Sequence, residues 1–201
     1  MSVAKAIVDD GQRVPPRERI IAVACDLFYR MGIRGVGVEA IAEAASTNKM
    51  TLYRHFSSKD ELVAECLRQF ARKAQAFWSE VEEQHPGDPQ AKLRRWLETK
   101  GERLAAAEER GCEFCNAAVE LPEKDHPARK IIEAFKTEQR ERLEGLCREA
   151  GMPHPGQCAD ELFLLFEGAR VSMQSVGREG PGARFVRMGE AIIAHHSRGA
   201  A

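Results

Sequence analysis

The chain has 201 residues and a mass of 22.4 kDa, with 30 basic and 31 acidic side chains. This length suits one domain, or one domain with a small appended module, and it can bury a core without metal or disulfide staples. A hydrophobic content of 43% excludes general disorder, and a net charge of −1 argues against a histone-like coat for nucleic acid. There is no signal-peptide pattern and no apolar run near the length of about 18 residues that spans a bilayer. We therefore expect a cytoplasmic protein without a membrane partner.

The predicted elements are all helices. Residues 1–15 are polar and end at a Pro-Pro pair, which predicts a flexible N-terminal arm. Helical periodicity then continues almost to the C-terminus, and the alternation typical of strands is essentially absent. We predict an all-α fold of about nine helices. Their approximate ranges are 20–31, 38–45, 49–56, 60–82, 90–110, 113–121, 128–149, 158–177 and 183–196.

The second and third helices are short and joined by a tight turn, which is the pattern of a helix-turn-helix. Leu52 and Phe56 face inward at a spacing of four residues, so the polar residues of the third helix face outward. No acidic residue lies between positions 44 and 59. Basic and hydroxyl side chains are what phosphate contacts need, and arginine can also read guanine. The alternative is an exposed, solvated helix face.

The residues of this region resemble a known family. The segments VEAIAEAA (38–45), NKMTLYRHF (48–56) and SKDEL (58–62) closely resemble the DNA-binding domain of TetR-type transcriptional repressors. The resemblance covers about residues 17–65. It departs from the family pattern at Ser46, where glycine is usual in the turn, and at Thr47, where an aliphatic residue is usual.

This resemblance implies a division of the chain and a function. A helix-turn-helix DNA-binding domain is expected at 16–62, and an all-helical ligand-sensing and dimerisation domain at 63–201. The expected partners are a second copy of the chain, an inverted-repeat DNA operator and a small-molecule effector that releases the repressor, in a bacterial cytoplasm at the nucleoid. The long helix at 60–82 is the expected lever between sensor and DNA reader. The positions that match DNA-contacting residues of the family are Asn48, Lys49, Thr51, Tyr53, Arg54, His55 and Lys59.

The last two helices are apolar on more than one side, so they must bury more than one side. By resemblance we expect them to pair with their copies as a four-helix bundle, which matches the two-fold symmetry of an inverted repeat. The alternative is that the second face packs on the core of its own chain. The predicted interface residues are Leu162, Leu165, Phe166, Ala169, Met173, Phe185, Met188 and Ile192.

Large aromatic residues between positions 77 and 135 suggest an apolar ligand pocket. The alternatives are an ordinary core, and with it a DNA-binding or scaffolding protein that takes no ligand. The candidate ligand-binding residues are Phe77, Trp78, Trp96, Phe114, Cys115, Asn116, Phe135 and Phe166.

Only Cys112 and Cys115, of the six cysteines, have an informative spacing. Three interpretations are open. The two cysteines are packed residues one helical turn apart, or they form a thiol sensor that makes the repressor redox-responsive, or they supply half of a metal site with His126. A lone Cys-x-x-Cys pair is weak evidence for the last two. Cys112 and His126 also lack a third orienting group for nucleophilic catalysis, and the chain has no glycine-rich phosphate loop. We therefore expect no enzyme activity, no cofactor and no metal.

The near-neutral total charge hides two unlike regions. Residues 11–59 hold 8 basic and 4 acidic side chains, whereas residues 80–169 hold 13 basic and 20 acidic ones. A basic segment of this kind favours contact with DNA phosphates. The distribution predicts that a basic N-terminal region binds DNA and that an acidic C-terminal region acts as the sensor.

Overall fold

A computed structural model of the chain describes residues 14–106 and 110–198. Within these ranges the chain forms nine α-helices, one 3-10 helix and no strand, which confirms the predicted all-α fold. The helices are α1 (Pro16–Met31), α2 (Val38–Ala44), α3 (Lys49–His55), α4 (Lys59–Gln84), α5 (Pro89–Ala105), α6 (Glu113–Glu120), α7 (Pro127–Glu149), α8 (Pro155–Val176) and α9 (Phe185–Arg198), with the 3-10 helix at Pro181–Arg184. None of these helices has the length and apolar character that a membrane crossing requires.

The helix ends follow from local chemistry. Helix α1 begins at Pro16, because a proline at the first helical position gives up an N–H that has no helical partner anyway. It ends at Gly32, whose φ of 84° is strained for any residue with a Cβ. Helices α3 and α5 are capped by Asn48 and Asp88, whose side chains accept hydrogen bonds from backbone N–H groups three residues further on.

Two predicted boundaries differ from the structure. Helix α5 ends at Ala105 rather than near residue 110, and residues 107–109 lie outside the described ranges. Helix α8 begins at Pro155 rather than 158, because a proline is well suited to the first helical turn. Residues 1–13 of the predicted arm also lie outside the described ranges.

The chain forms two compact units, and each unit is built from separate stretches of the sequence. In the described ranges, unit 1 comprises residues 14–73 and 113–133, and unit 2 comprises residues 74–106, 110–112 and 134–198. Helices α4 and α7 contribute residues to both units. The backbone therefore passes between the units three times.

Unit 1 has a core of fully buried aliphatic side chains from α1 to α4. Ile20, Ile41, Leu52 and Leu62 each have no exposed surface. Burying such a side chain contributes about 1.5–3 kcal/mol relative to leaving it exposed. Helices α1, α2 and α3 are thus held by apolar contacts, which leaves their polar faces available for other contacts.

Unit 2 is built around Leu93, Leu97 and Leu162, which are also fully buried. Helices α5 and α9 approach closely, since a Cβ at Gly189 would collide with the side chain of Leu97. The packing of α5, α8 and α9 gives unit 2 its aromatic core, which is described below with the predicted ligand residues.

Candidate nucleic-acid interface

The turn between α2 and α3 is held in an uncommon backbone conformation. Ser46 has a φ of 50° and is the only residue other than glycine with a positive φ in the described ranges. Arg19 of α1 reaches this turn: Nε donates to the carbonyl of Ala45 at 3.2 Å and Nη2 to that of Ser46 at 3.4 Å. Nη1 donates to the carbonyl of Val14 at 2.8 Å. One arginine therefore ties the turn to the first helix, a role that sequence reasoning missed.

Helix α3 is anchored by one apolar side and presents the rest outward. Leu52 is fully buried, and Phe56 directly after the helix is 1% exposed. Asn48 caps the helix, with its Oδ1 accepting from the backbone N–H of Thr51 at 2.8 Å. The predicted division between inward apolar and outward polar residues is present in the structure.

The predicted DNA-contacting residues of α3 differ in how exposed they are and in whether they contact other residues of the chain. Tyr53 and Arg54 are exposed, and Arg54 makes no hydrogen bond or ion pair with another residue that the structure describes. Thr51 is half-buried. His55 is also half-buried, and its Nε2 is buried without a hydrogen-bond partner within the described ranges. Tyr53 and Arg54 are thus the residues best placed to reach another molecule.

Lys49 is exposed and forms an ion pair with Glu39. Its Nζ lies 2.6 Å from Oε1 of Glu39 on α2 and 6.0 Å from the ring centroid of Tyr53. The hydrogen bond from Lys49 lowers the pKa of the Glu39 carboxyl, and the same contact raises the pKa of Lys49. An exposed pair of this kind contributes little to stability, so Lys49 is able to exchange Glu39 for a phosphate.

The start of α4 fixes the last predicted contact, Lys59. Ser58 caps the helix by accepting a hydrogen bond from the backbone N–H of Glu61 at 3.0 Å. The Glu61 carboxylate accepts from both the N–H and the hydroxyl of Ser57 at 2.6 Å, which lowers the pKa of Glu61. Lys59 is half-buried, with Nζ 5.9 Å from the ring centroid of Phe28. A serine cap and an acidic first turn therefore fix the start of α4.

A distant segment completes unit 1. The backbone N–H of Arg34, in the loop between α1 and α2, donates to Glu120 Oε2 at 3.0 Å, and its Nε donates to the carbonyl of Glu120 at 2.9 Å. Arg34 Nη2 also lies 3.3 Å from Glu123. His126 Nε2 lies 3.4 Å from Asp60 at the start of α4. Residues 113–133 are thus bound by polar contacts to the loop between α1 and α2 and to the start of α4.

The comparisons with known proteins agree with this geometry. A family model described as "Bacterial regulatory proteins, tetR family" matches residues 20–66. The HTH-type transcriptional repressor KstR2 of Mycobacterium tuberculosis is 38% identical over 60 residues, which are 30% of this chain and 30% of that protein. A TetR-family transcriptional regulator of Streptomyces coelicolor, known from a crystal structure, is 26% identical, with a TM-score of 0.82 over 90% of this chain and 96% of that one. Residues 20–66 of the chain therefore match the TetR family.

The curated relatives match this chain over 54–60 residues, which are 26–30% of its length. The HTH-type transcriptional activator FasR of Mycolicibacterium smegmatis is 40% identical over 55 residues, which are 26% of this chain and 25% of that protein. The matched segment spans about 30% of the length of KstR2. These relatives therefore support a TetR-type DNA-binding region in this chain. Their matched segments, of 60 and 55 residues, are too short to cover unit 2.

The predicted ligand residues are divided between the two units. Phe77, Trp96 and Phe166 come together in unit 2, where the rings of Trp96 and Phe166 lie 5.7 Å apart. Lys100, a buried residue that sequence reasoning missed, has its Nζ 4.5 Å from the ring of Phe77 and 5.8 Å from that of Phe166. The remaining members are placed as follows: Trp78 and Phe135 in unit 2, and Phe114, Cys115 and Asn116 in unit 1.

Trp78 lines an open groove of unit 2 with a volume of about 480 Å³. Its Nε1 donates to Gln139 at 2.9 Å, and the guanidinium of Arg142 lies 5.9 Å from its ring. Lys92 also lines this groove and is buried, with Nζ 2.6 Å from Glu82. The groove is thus lined by both apolar and charged side chains.

The two cysteines of the Cys-x-x-Cys pair do not support a sensor. Cys112 is 4% exposed, and its sulfur accepts a hydrogen bond from Lys136 Nζ at 3.3 Å. Cys115 is half-buried on α6. The comparisons do not support the thiol-responsive alternative, and burial at Cys112 favours packing.

Most of the predicted dimer residues are buried in the core of their own chain or pack against it. Leu162, Ala169 and Phe185 are buried in the core of unit 2, so the alternative that the second face packs on its own core applies to these three. Met188 is 44% exposed. The half-buried members, which pack against that core, are Leu165, Phe166, Met173 and Ile192. The stripe at 162–173 turns inward because α8 packs against α5 and α9.

Proposed function

We propose that this TetR-family protein is a homodimeric DNA-binding transcriptional repressor released from its operator by a small-molecule effector. The observation that carries the proposal is the exposed polar face of α3 on its buried apolar anchor, Leu52. Helix α3 enters the major groove as the recognition helix, residues 16–62 form the DNA-binding domain, and residues 63–201 sense the effector and dimerise. For the direction of control we follow KstR2, which is named a repressor, rather than FasR, which is named an activator.

The residues of the face have separate roles in this proposal. Arg54 reads a base edge or a phosphate, and Tyr53 and Thr51 donate hydroxyl hydrogen bonds to phosphates. Lys49 and Lys59 contribute positive charge against the DNA backbone. Losing a bidentate arginine contact to guanine costs about 1–3 kcal/mol and relaxes specificity at that base pair.

The test begins with selection of bound sequences from fragmented genomic DNA by the full chain. Fluorescence anisotropy on a selected duplex then compares the wild type with Tyr53→Ala/Arg54→Ala. We expect affinity to fall at least about 30-fold, which is about 2 kcal/mol. Circular dichroism should show unchanged helicity.

Arg94→Ala is the matched control, since Arg94 is an exposed cation of unit 2. This variant should bind the selected duplex like the wild type. Unchanged affinity in the Tyr53/Arg54 variant would remove α3 as the recognition helix. An equal loss in both variants would assign binding to overall charge.

The dimer that we propose uses the outward apolar side chains of α8 and α9. Leu164 and Val171 on α8 are 67% and 61% exposed and lie seven residues apart, on one face of the helix. Met188 supplies an exposed apolar contact on α9. Exposed apolar patches of this kind mark interaction surfaces. A four-helix interface between two copies would cover them.

Sedimentation velocity tests this interface. Leu164→Asp with Met188→Asp should convert a dimer into a monomer, because each carboxylate would be buried at the two-fold interface. Val119→Asp is the control, since Val119 is 82% exposed in unit 1. A dimer that survives the double substitution would contradict the assignment of this face.

We place the effector site in unit 2, supported by the aromatic cluster of Phe77, Trp96 and Phe166 around Lys100. Trp78 and Trp96 are the only tryptophans of the chain. A ligand that raises the melting temperature and changes tryptophan fluorescence is therefore bound in unit 2. A ligand that releases DNA without changing this fluorescence would contradict the placement.

A further inference from the structure

Helix α3 carries an exposed methionine that the proposed function leaves without a role. Met50 is the second residue of the helix and is 83% exposed, so it packs against little of its own chain. In a helix-turn-helix, the N-terminal residues of the second helix are the ones that contact base edges. The place of Met50 in the fold, in addition to its exposure, therefore points to a partner in the major groove.

The other side chains of this first turn already have contacts within the chain. Asn48 Oδ1 accepts a hydrogen bond from the backbone N–H of Thr51 at 2.8 Å, and Lys49 Nζ lies 2.6 Å from Glu39 Oε1. Thr51 is half-buried. Among residues 48–51, Met50 is thus the exposed side chain that serves neither as a cap nor in an ion pair.

Met50 lies on the same face of α3 as the residues proposed to bind DNA. Tyr53 and Arg54 follow it by three and four positions, and side chains at these spacings are neighbours on a helix surface. All three are exposed. A docking of α3 that brings Arg54 to the DNA therefore brings Met50 into the groove as well.

The chemistry of methionine limits what it can recognise there. Its thioether has no hydrogen-bond donor and is only a weak acceptor, so it cannot bind a phosphate or read a guanine by hydrogen bonds. The apolar feature of the major groove is the C5-methyl group of thymine. A flexible, polarisable side chain adapts well to the surface of such a group.

We propose that Met50 is a specificity-determining residue that packs against the C5-methyl group of a thymine in the operator. This inference rests on the proposed function, in which α3 enters the major groove. The contact favours thymine over cytosine at one base pair of each half-site, and it makes binding depend on one methyl group.

The test removes that methyl group from the DNA. The full chain is bound to the selected duplex, and each thymine in turn is replaced by uracil, which keeps the base-pairing edge and lacks the C5-methyl group. Fluorescence anisotropy measures the affinity. We expect one thymine in each half-site at which uracil weakens binding about fourfold, which corresponds to about 0.8 kcal/mol, the value of burying one methylene-sized group.

Variants of the protein assign the effect to one side chain. Met50→Ala should bind the thymine and uracil duplexes equally, to within about 1.5-fold, because the contact is absent from both complexes. Met50→Leu keeps an apolar side chain of similar volume and should retain most of the effect. Met31→Ala is the matched control, since Met31 is 62% exposed in unit 1 but lies at the end of α1, and it should show the full fourfold loss.

Methylated cytosine supplies the reverse experiment. Cytosine in place of the identified thymine should weaken binding, and a methyl group on C5 of that cytosine should restore about fourfold in the wild type. The same methyl group should restore nothing in Met50→Ala. Circular dichroism confirms that each variant keeps its helicity, as expected for substitutions at exposed positions.

The outcomes separate this inference from the function on which it rests. A selected duplex in which uracil has no effect at any thymine, or an undiminished effect in Met50→Ala, would overturn the role of Met50 while DNA binding stands. Loss of the effect in Met31→Ala would also overturn it, because the effect would then not belong to the face of α3. A wild-type chain that selects no DNA sequence would overturn the proposed function and this inference together.

Discussion

The contact of Arg19 with the helix-turn-helix turn gives a sharp prediction. Its guanidinium bridges the carbonyls of Ala45 and Ser46 on the turn and that of Val14 before α1. Arg19→Met keeps an apolar stem of similar length and removes all three hydrogen bonds. We predict that this substitution loosens the turn that positions the recognition helix.

The magnitude follows from the geometry. A hydrogen bond to a charged group contributes about 1.5–3 kcal/mol in general. The two bonds to the turn are 3.2 and 3.4 Å long, and the longer one is exposed, so they lie at or below the lower end of this range. We therefore expect about 2 kcal/mol for the turn, which corresponds to about a 30-fold change in its local opening equilibrium.

Hydrogen exchange is the suitable assay because it reports local opening in a chain with two units. The amides of Ser46 and Thr47 donate to carbonyls of α2 at 2.9 Å and are protected by the turn. In Arg19→Met they should exchange about 30-fold faster. Arg68→Met, which removes an exposed ion pair to Glu65, should leave their exchange unchanged. A change below about threefold in Arg19→Met would refute the reasoning.

Three further predictions concern single positions. Ser46→Gly should raise the stability of unit 1 by up to about 1 kcal/mol in urea unfolding, because glycine adopts the φ of 50° without strain; a loss would show that the side chain stabilises the turn. Glu39→Gln should tighten binding to the selected duplex and steepen its salt dependence by about one unit, because Lys49 is released for a phosphate; weaker binding would mean that Glu39 positions Lys49. Leu93→Ala should cost about 2–5 kcal/mol, measured as a lower melting temperature, because the side chain is fully buried; an unchanged melting temperature would mean that the core refills the space.

The sequence predicts the parts of the interface that depend on local chemistry. Helical periodicity identified the buried side of α3, and the capping roles of Asn48 and Ser58 follow from side chains that bond to backbone three residues away. Such contacts are encoded within one turn of helix. They are accessible to reasoning from a short stretch of sequence.

Contacts between distant residues could not be predicted in the same way. Arg19 lies 26 residues from Ala45, and an arginine on an amphipathic helix is usually solvated, so its sequence carries no signal for this bond. The pairing of Lys49 with Glu39 likewise depends on the angle between α2 and α3. The inference from the stripe on α8 is limited for a related reason, since periodicity shows that a face is buried but not whether the chain itself or a second copy buries it.

The position of residues 113–133 has the largest consequence for function. The sequence groups Phe114 and Asn116 with the aromatic residues before and after them, yet the structure assigns this segment to unit 1, where Arg34 binds Glu120 across 86 positions. The backbone enters this segment from unit 2 and returns to unit 2 after it, so both ends of the segment are covalently continuous with unit 2. The continuous helix α4 supplies a third connection. In the proposed repressor, we therefore expect residues 113–133 to couple unit 2 to the DNA-binding helices in addition to α4, because Arg34 binds Glu120 of this segment.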